Sequence, residues 1–370
     1  MTYDAAIVGA GIVGAACAAS LSAAKLKVVV IDESGPATGT TAAGMGHIVV
    51  MDDSEAQFEL TNYSRKLWNQ LAAELPSSSE YEFCGTIWVA ADDEEMIEVR
   101  RKKEFYESHG VKAEILTEKG LRDAEPNLRE GLAGGLLVKD DSVVYQLCAT
   151  RFLLDKAIGN GAEIRTGVKA VEISDNGVKL ENGDFITTGN VINAAGISAP
   201  DLSAGLKIIK RKGHLVITER YPDFVLHQLI ELGYLKSAHG KDTDSVAFNI
   251  QPRSTGQILL GSSRQFGAND TEIDQSIVRR MTARAFEFMP KLKDLLAVRI
   301  WTGFRPATPD NLPFIGRLPD HDNVYVAAGH EGLGITTSLG TAELITAAIL
   351  GRASAISPEP YSPSRIFIEH

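Results

Sequence analysis

The chain has 370 residues, a formal net charge of −11 and 44% hydrophobic residues. Its length allows two domains with a large core, and its acidic balance argues against a nucleic-acid partner, because phosphate contacts need clustered Lys and Arg. No apolar run reaches the roughly 18 residues of a membrane-spanning helix. The first strand begins too early to leave room for a signal peptide, so we expect a cytoplasmic protein.

The first predicted elements are a strand at 3–8 and a helix at 12–25. Three glycines lie at their junction, and each has a distinct physical use. Gly9 permits a tight turn, Gly11 lets a pyrophosphate approach the backbone, and Gly14 lets the helix pack closely on the strand. Together they indicate a dinucleotide-binding turn, with the free N–H groups of the helix start directed at phosphate.

The second predicted strand, 27–31, runs into Asp32. An acid at this point of a dinucleotide-binding fold binds ribose hydroxyls. The following stretch, "SGPATGTTAAGMGHIVV", is small, polar and too irregular for an ordinary helix. The alternative explanation of the three glycines is a turn that binds no ligand.

The remaining predicted elements alternate between helices and strands. The helices lie at 54–75, 93–108, 146–159, 275–290 and 336–350, with a short one in "LTEKGLRDAEPNL" closed by Pro126. The strands lie at 85–91 and 190–196, around Asn-Gly turns at 176–177 and 182–183, across an antiparallel pattern at 207–264, and among turns at 298–329. This order indicates a nucleotide-binding domain interrupted by a substrate domain in two pieces.

The three cysteines, Cys17, Cys84 and Cys148, are scattered without C-x-x-C spacing. They indicate a reducing compartment and no metal site. Cys17 falls in the first predicted helix, where we expect it to be a core residue.

Four motifs in order carry a family resemblance: "GAGIVG", "GTTAAGMGH" at 39–47, "NAAG" at 193–196, and "WTGFRPATPDNLPFIG" with "AAGHEGLGITTS" within 301–338. With them the chain resembles the glycine oxidase, D-amino-acid oxidase and sarcosine oxidase family of flavoproteins. Its motifs are most similar to flavin subunits of D-hydroxyproline or opine dehydrogenases. The region around 205–250 carries little recognisable signal.

The resemblance implies an α/β fold: a glutathione-reductase-like, FAD-binding Rossmann domain with an inserted α+β substrate domain on a mixed, largely antiparallel sheet. The FAD-binding domain would comprise 1–82, 145–205 and 300–370. The substrate domain would comprise 83–144 and 206–299.

The resemblance also implies which residues contact FAD, through the phosphate turn, the 39–47 segment and the loop before the last predicted helix. This set is Gly9, Gly11, Ile12, Val13, Gly14, Asp32, Glu33, Thr40, Thr41, Ala43, Gly44, Met45, Val168, Ala195, Gly196, Arg305, Gly332, Leu333, Gly334, Ile335 and Thr336. We expect Thr40 and Thr41 near the pyrophosphate, and Val168 on the adenine side. The start of the last helix would stabilise negative charge on the reduced ring; a plain loop-to-helix cap is the alternative.

The resemblance assigns Arg305 to the substrate carboxylate, which a bidentate guanidinium suits well. The alternative is a structural arginine paired with Asp310 or with a carbonyl. Asn249 stands where glycine oxidases have a tyrosine, so we expect a different substrate pocket. His47, His330 and Glu331 are further candidates for binding substrate, and each could equally stabilise a loop.

Two departures from the family pattern concern the flavin. Gly303 stands where sarcosine oxidases have a cysteine bonded to flavin, so FAD is expected to be non-covalent. The position of an oxygen-activating lysine falls around Leu259, where no lysine occurs. This second departure weakens an oxygen-using assignment, although other oxidases of the family also lack that lysine.

The expected function is FAD-dependent dehydrogenation of an amino or imino acid by hydride transfer to flavin. The substrate would be a D-amino acid or a cyclic secondary amine such as D-hydroxyproline, and a redox partner subunit or a quinone would accept the electrons. The alternatives are an oxygen-using glycine or D-amino-acid oxidase, and a flavin-binding scaffold subunit without its own turnover.

Overall fold

The computed structural model describes residues 2–233 and 244–367. Its first large sheet has six strands, five of them parallel and one antiparallel at the edge. In spatial order these are β18 (Phe314–Arg317), β19 (Val324–Ala328), β12 (Val191–Asn193), β1 (Ala5–Val8), β2 (Val28–Asp32) and β8 (Glu163–Thr166).

The central strands of this sheet are short apolar runs because both of their faces are buried. Ala5 and Ile7 of β1 pack towards the helices α1 (Ile12–Ala23), α5 (Gln146–Gly159) and α8 (Gly334–Leu350). Ala6 and Val8 point the other way, towards a three-stranded antiparallel sheet. That sheet consists of β9 (Ala170–Ser174), β10 (Gly177–Leu180) and β11 (Phe185–Thr187).

The second large sheet has eight strands and is largely antiparallel, with one parallel pair between β14 and β4. In spatial order these are β17 (Ala297–Ala307), β13 (Ile209–Thr218), β16 (Ile258–Arg264), β15 (Ser245–Pro252), β14 (Gln228–Glu231), β4 (Thr86–Ala90), β6 (Gly134–Val138) and β5 (Glu114–Thr117). A two-stranded pair, β3 (His47–Ile48) and β7 (Ser142–Val143), lies apart from both large sheets.

Helices cover much of the second sheet. On one face, α7 (Gln275–Phe288) packs its apolar side against strands β15 and β16. On the other, α3 (Asp93–Ser108) packs against β4 and β6, next to Phe58 of α2 (Glu55–Leu71). The short helices are α4 (Glu118–Ala124), α6 (Ala199–Leu202) and α9 (Ser364–Phe367). In residues 2–233 and 244–367, no helix is both long and apolar enough to cross a bilayer.

The predicted α/β class is confirmed, as are most predicted helices and the two Asn-Gly hairpin turns. Two helix predictions need correction. The helix predicted at 336–350 begins at Gly334, and the short helix α9 follows it. The helix predicted at 12–25 ends at Ala23, because Lys25 adopts a left-handed conformation with φ 71°.

The division into an FAD-binding and a substrate domain remains our proposal. The two large sheets support it, since they draw their strands from the two predicted sets of segments. Strand β17 extends across the predicted boundary at residue 300, because it pairs with β13 of the eight-stranded sheet from Ala297 to Ala307.

Candidate active site

Residues from both large sheets line a cavity of about 1140 Å³. This volume exceeds the roughly 300–1,000 Å³ that is common for small-ligand sites. The cavity wall includes Val8 at the end of β1, Asn249 of β15, Arg305 of β17 and Gly334 at the start of α8. The cavity therefore lies where the parallel sheet ends and the antiparallel sheet faces it.

The turn between β1 and α1 is a surface without side chains. Gly9 has φ +111°, and a Cβ there would lie 2.4 Å from the oxygen of Ala194. A Cβ at Gly14 would lie 1.9 Å from the oxygen of Gly9, so this glycine permits the helix to pack on the turn. A Cβ at Gly11 would enter the space beside the Thr41 hydroxyl, which accepts a hydrogen bond from the Ile12 N–H at 3.1 Å.

Asp32 lies at the cavity wall, and both of its carboxylate oxygens accept backbone hydrogen bonds. Oδ2 accepts from the Ala10 N–H at 2.7 Å, and Oδ1 accepts from Ser34 and Gly35 at 2.9 and 2.7 Å. These bonds fix the turn next to the phosphate-binding glycines. Oδ2 accepts one bond and keeps a lone pair that a ribose hydroxyl could use; the contact with ribose itself stays a prediction.

The irregular segment 38–46 lies between the two large sheets and is anchored to both sides. The Thr40 hydroxyl donates to the oxygen of Phe304 at 3.0 Å. The side-chain amides of Gln146 and Gln251 donate to the oxygens of Gly44 and Met45, each at 2.8 Å. These bonds hold the segment against β17 and along the cavity wall.

Arg305 extends across the neighbouring strand. Its Nη1 donates to the oxygen of Ser263 at 2.8 Å, and a Cβ at Gly213 would lie only 2.6 Å from the same nitrogen. The glycine thus makes room for the guanidinium. The sequence left open that Arg305 pairs with Asp310, and this is wrong, because Asp310 pairs with Arg365. It also left open a bond to a carbonyl. That bond is present, to Ser263, and it orients the guanidinium in the cavity.

His47 and His330 both line the cavity as neutral side chains. Burial, with a contribution from the positive charge of Arg305, lowers the pKa of His47 to about 4. Burial lowers the pKa of His330 to about 3. His47 shares a hydrogen bond with Gln228, and His330 shares one with Thr341 at 3.0 Å, so each histidine also stabilises its loop.

Glu331 ion-pairs with two arginines that sequence reasoning missed. Its Oε1 lies 3.2 Å from Nη1 of Arg211 and 3.5 Å from Nε of Arg264. Burial alone would raise the pKa of Glu331, but the charges of Arg264, Arg305 and Arg211 outweigh it and lower the pKa to about 2. Strand register could have found Arg211, because it lies directly opposite Arg305 on β13 and β17.

Several polar atoms on the cavity wall are buried and have no hydrogen-bond partner in the described part of the chain. Among them are Oδ1 of Asn249, an acceptor, and Nε1 of Trp88, a donor. Sequence reasoning found the first and missed the second. Both positions flank Ile230, since Trp88 and Asn249 each pair with it across adjacent strands.

The cavity wall includes all but two of the predicted cofactor- and substrate-binding residues. Gly14 lies behind the wall and acts through packing, as predicted. Thr336 also lies off the wall, because its hydroxyl donates to the oxygen of His47 at 2.8 Å. Leu259 is likewise absent from the wall and packs against Met45 and Leu215. Among the described residues, no group of three or more His, Cys, Asp or Glu side chains could hold a metal ion.

The family model described as FAD dependent oxidoreductase matches residues 4–348. The chain belongs to this family. It is thus an FAD-dependent enzyme with the α/β fold that the motifs predict.

Two related enzymes and two solved structures show what the chain is similar to. Glycine oxidase of Geobacillus kaustophilus is 27% identical over 98% of this chain and 97% of its own. A crystal structure of glycine oxidase from the same organism has a TM-score of 0.87 at 25% identity and covers 98% of both chains. D-amino acid dehydrogenase of Xanthobacter autotrophicus is 26% identical over 83% of this chain and 73% of its own. L-proline dehydrogenase of P. horikoshii shares the fold, with a TM-score of 0.88 at 23% identity and 99% and 98% coverage.

The geometry of the cavity fits FAD, independently of the family assignment. The phosphate turn offers a backbone surface that any Cβ would fill, at the end of β1 and the start of a buried helix. Asp32 and Val168 line the cavity on the β2 side, and Arg305 lines it on the side of the eight-stranded sheet. A Cβ at Gly303 would lie 2.2 Å from that of Ala43, so no cysteine fits where a covalent flavin link would form.

Proposed function

We propose that this FAD-dependent enzyme oxidises an amino or imino acid at its CH–NH bond. The substrate class we favour is a D-amino acid or a cyclic secondary amine such as D-hydroxyproline. The observation that carries the proposal is Arg305, a guanidinium held on the wall of the FAD cavity by Gly213 and Ser263. Relatives named glycine oxidase and D-amino acid dehydrogenase support it.

Arg305 would bind the substrate carboxylate. Its Nη1 is committed to the Ser263 oxygen, which leaves Nε and Nη2 for a paired contact with a carboxylate. Bound FAD would supply the hydride acceptor for oxidation at the α-carbon. The chain contributes orientation, because holding the reacting atoms in a near-attack geometry lowers the barrier by several kcal/mol.

The amine would be recognised by neutral groups. The unpartnered Oδ1 of Asn249 can accept a hydrogen bond from an N–H of the substrate. His47 remains uncharged above its pKa of about 4, so it adds no positive charge beside the amine. The amine would thus meet neutral hydrogen-bonding groups and no charged partner.

The test is an anaerobic screen of D- and L-amino acids, prolines and opines, in which bleaching of the yellow flavin band reports reduction. We expect at least one amino or imino acid to bleach the flavin in the absence of oxygen. If none does while FAD is bound, the scaffold alternative replaces our proposal. We further propose that electrons leave to a redox partner or quinone and that the enzyme works in the cytoplasm.

A further inference from the structure

We propose that the substrate carries a second carboxylate and that Arg211 binds it. This inference rests on the proposed function, because it deepens the substrate class of the same site. It arises from the placement of two guanidinium groups on one cavity wall, where Glu331 is shared between them and Arg264.

Arg211 and Arg305 lie on the same face of the eight-stranded sheet. They are directly paired in the register of β13 and β17, so their side chains leave the sheet on the same side. Like charges placed directly opposite each other destabilise a sheet. The pair therefore lowers the stability of the free protein, and an anion bound between the two guanidinium groups would offset this cost.

In the described part of the chain, the carboxylate of Glu331 offsets only part of the positive charge of these arginines. Glu331 is shared, since the same oxygen contacts Arg211 and Arg264. Arg305 instead donates to the uncharged oxygen of Ser263. The single carboxylate is thus divided between cations, while the guanidinium of Arg305 faces the cavity with a neutral partner.

Arg211 also retains hydrogen-bonding capacity. Its side chain is only 14% exposed, and its Nε–H is buried without a hydrogen-bond partner among the described residues. Its guanidinium lies 5.2 Å from the centre of the Phe266 ring, which also lines the cavity. Contact with the ring fixes the position of the guanidinium and limits its loss of side-chain entropy when a ligand binds.

A ligand that satisfies both arginines has two carboxylates joined through a short linker. Two arrangements share this chemistry: an amino acid with an acidic side chain, and a secondary amine that bears a carboxylate on each substituent. The first carboxylate would bind Arg305 and the second Arg211. A bulky apolar substituent would leave the Nε–H of Arg211 desolvated and without a hydrogen bond, which disfavours such substrates.

The experiment uses substrate pairs that differ in one charge. Sarcosine and iminodiacetate differ by a carboxylate on the amine substituent, and asparagine and aspartate differ by a carboxylate on the side chain; both enantiomers of the second pair are used. Anaerobic flavin reduction gives kcat/KM for each compound in the holoenzyme. We expect the charged member of at least one pair to be preferred roughly tenfold or more, the equivalent of one charge-assisted hydrogen bond.

The variant Arg211→Met tests whether Arg211 is the cause. It should abolish that preference by lowering kcat/KM for the charged member of the pair roughly tenfold more than for the uncharged member. Lys210→Met is the matched control, because Lys210 is exposed and lies on the opposite face of the same strand. It removes the same charge and should keep the preference.

A binding measurement separates failure of this inference from failure of the proposed function. Succinate and propionate differ by one carboxylate and are not oxidised, so calorimetry with the holoenzyme reports the second anion site without turnover. Tighter binding of succinate that is lost in Arg211→Met supports the inference, even if no amino acid is oxidised. Equal affinity for the two acids, or equal losses for both substrates of a pair in Arg211→Met, would overturn it.

Discussion

At the scale of single residues, small side chains decide what the cavity can hold. Gly303 lies against Ala43, and Gly213 lies beneath the guanidinium of Arg305. Since the two glycines are paired in register across β13 and β17, they form a depression in the sheet on the cavity side. Larger residues at either position would displace a group that contributes to the site.

The first prediction is that FAD is bound without a covalent link. Acid or heat should release intact FAD from the purified protein, because residue 303 is a glycine and has no thiol to bond to the flavin. A side chain at this position would also clash with Ala43. The measurement is chromatography of the supernatant after denaturation. Flavin that stays with the precipitated chain would contradict it. Gly303→Cys should lower FAD content rather than create a link.

The second prediction concerns Arg305→Leu. FAD should remain bound, while kcat/KM falls about 30- to several-thousand-fold, because losing a desolvated charge-assisted pair costs roughly 2–5 kcal/mol. Arg305→Lys should restore only part of the activity, since it lacks the planar fork. Arg317→Leu, at an exposed position of β18, is the control for loss of an arginine. Unchanged kinetics in Arg305→Leu would refute the role of this residue.

The third prediction concerns the stability of the protein in acid. Burial lowers the pKa of His330 to about 3, so between pH 6.5 and about 3 the unfolded chain binds a proton that the folded chain does not. The free energy of unfolding therefore falls as the pH is lowered through this window.

The variant His330→Gln should make this fall shallower, by up to about 1.4 kcal/mol per pH unit. Urea unfolding at several pH values measures the slope, which is independent of any uniform change in stability. His109→Gln, at a surface histidine, is the matched control. An identical slope for wild type and His330→Gln would show that His330 is not the cause.

At the scale of secondary-structure elements, local patterns were sufficient to predict the nucleotide-binding half of the site. The turn at Gly9 and Gly11, the strand ending at Asp32 and the helix at Glu55–Leu71 follow from residues that are near one another in sequence. Each depends on backbone freedom or on apolar periodicity, which a single segment specifies by itself.

The substrate half was only partly predictable, because it depends on pairing between distant strands. Arg211 and Arg305 meet through the register of β13 and β17, and Trp88 meets Asn249 through Ile230. No local pattern specifies such a register across a long separation in sequence. The same limit applies to Thr336, whose hydroxyl donates to the distant oxygen of His47, while its contact with FAD stays a prediction.

The fourth prediction tests the turn between β1 and α1. Gly11→Val should fold but purify without colour, because its side chain would occupy the space next to the Thr41 hydroxyl and the helix start. Absorbance of the flavin band relative to protein measures occupancy, and circular dichroism checks that the chain is folded. Gly159→Val is a control, because a Cβ at Gly159 meets no atom within 4 Å and this exposed residue does not line the cavity. A yellow Gly11→Val protein with normal FAD content would contradict this role of the turn.

At the scale of the whole molecule, the two large sheets form different parts of the proposed site. The parallel sheet offers its strand ends and the start of α1 to the cofactor, and the antiparallel sheet supplies the charged wall that faces the substrate. The segment 38–46 connects them, because it bonds to Phe304 and Gln251 of the antiparallel sheet and its Thr41 hydroxyl accepts from the Ile12 N–H at the start of α1. The chain is acidic overall, so the part of the cavity wall where Arg211, Arg264 and Arg305 surround Glu331 is a local region of opposite charge that would attract anionic substrates.

The last prediction concerns the destination of the electrons. A cation beside the reduced flavin would stabilise a forming superoxide. Leu259, near the position where sarcosine oxidases have a lysine, is buried with Met45 and Leu215 and does not reach the cavity. Lys169 is the one lysine among the described residues that line the cavity. It follows Val168 in the sequence and ion-pairs with Glu33. We therefore expect slow reaction of the reduced enzyme with oxygen and fast reaction with a quinone or dye.

Stopped-flow reoxidation of the substrate-reduced enzyme measures both rates in one buffer. A dye that reoxidises the flavin much faster than air-saturated buffer does would support a dehydrogenase that passes electrons to a partner. Reoxidation by air at the rate of turnover with the dye would establish an oxidase. Because the same reduced enzyme serves both arms, the comparison depends on the acceptor alone and holds whichever amino or imino acid supplied the electrons.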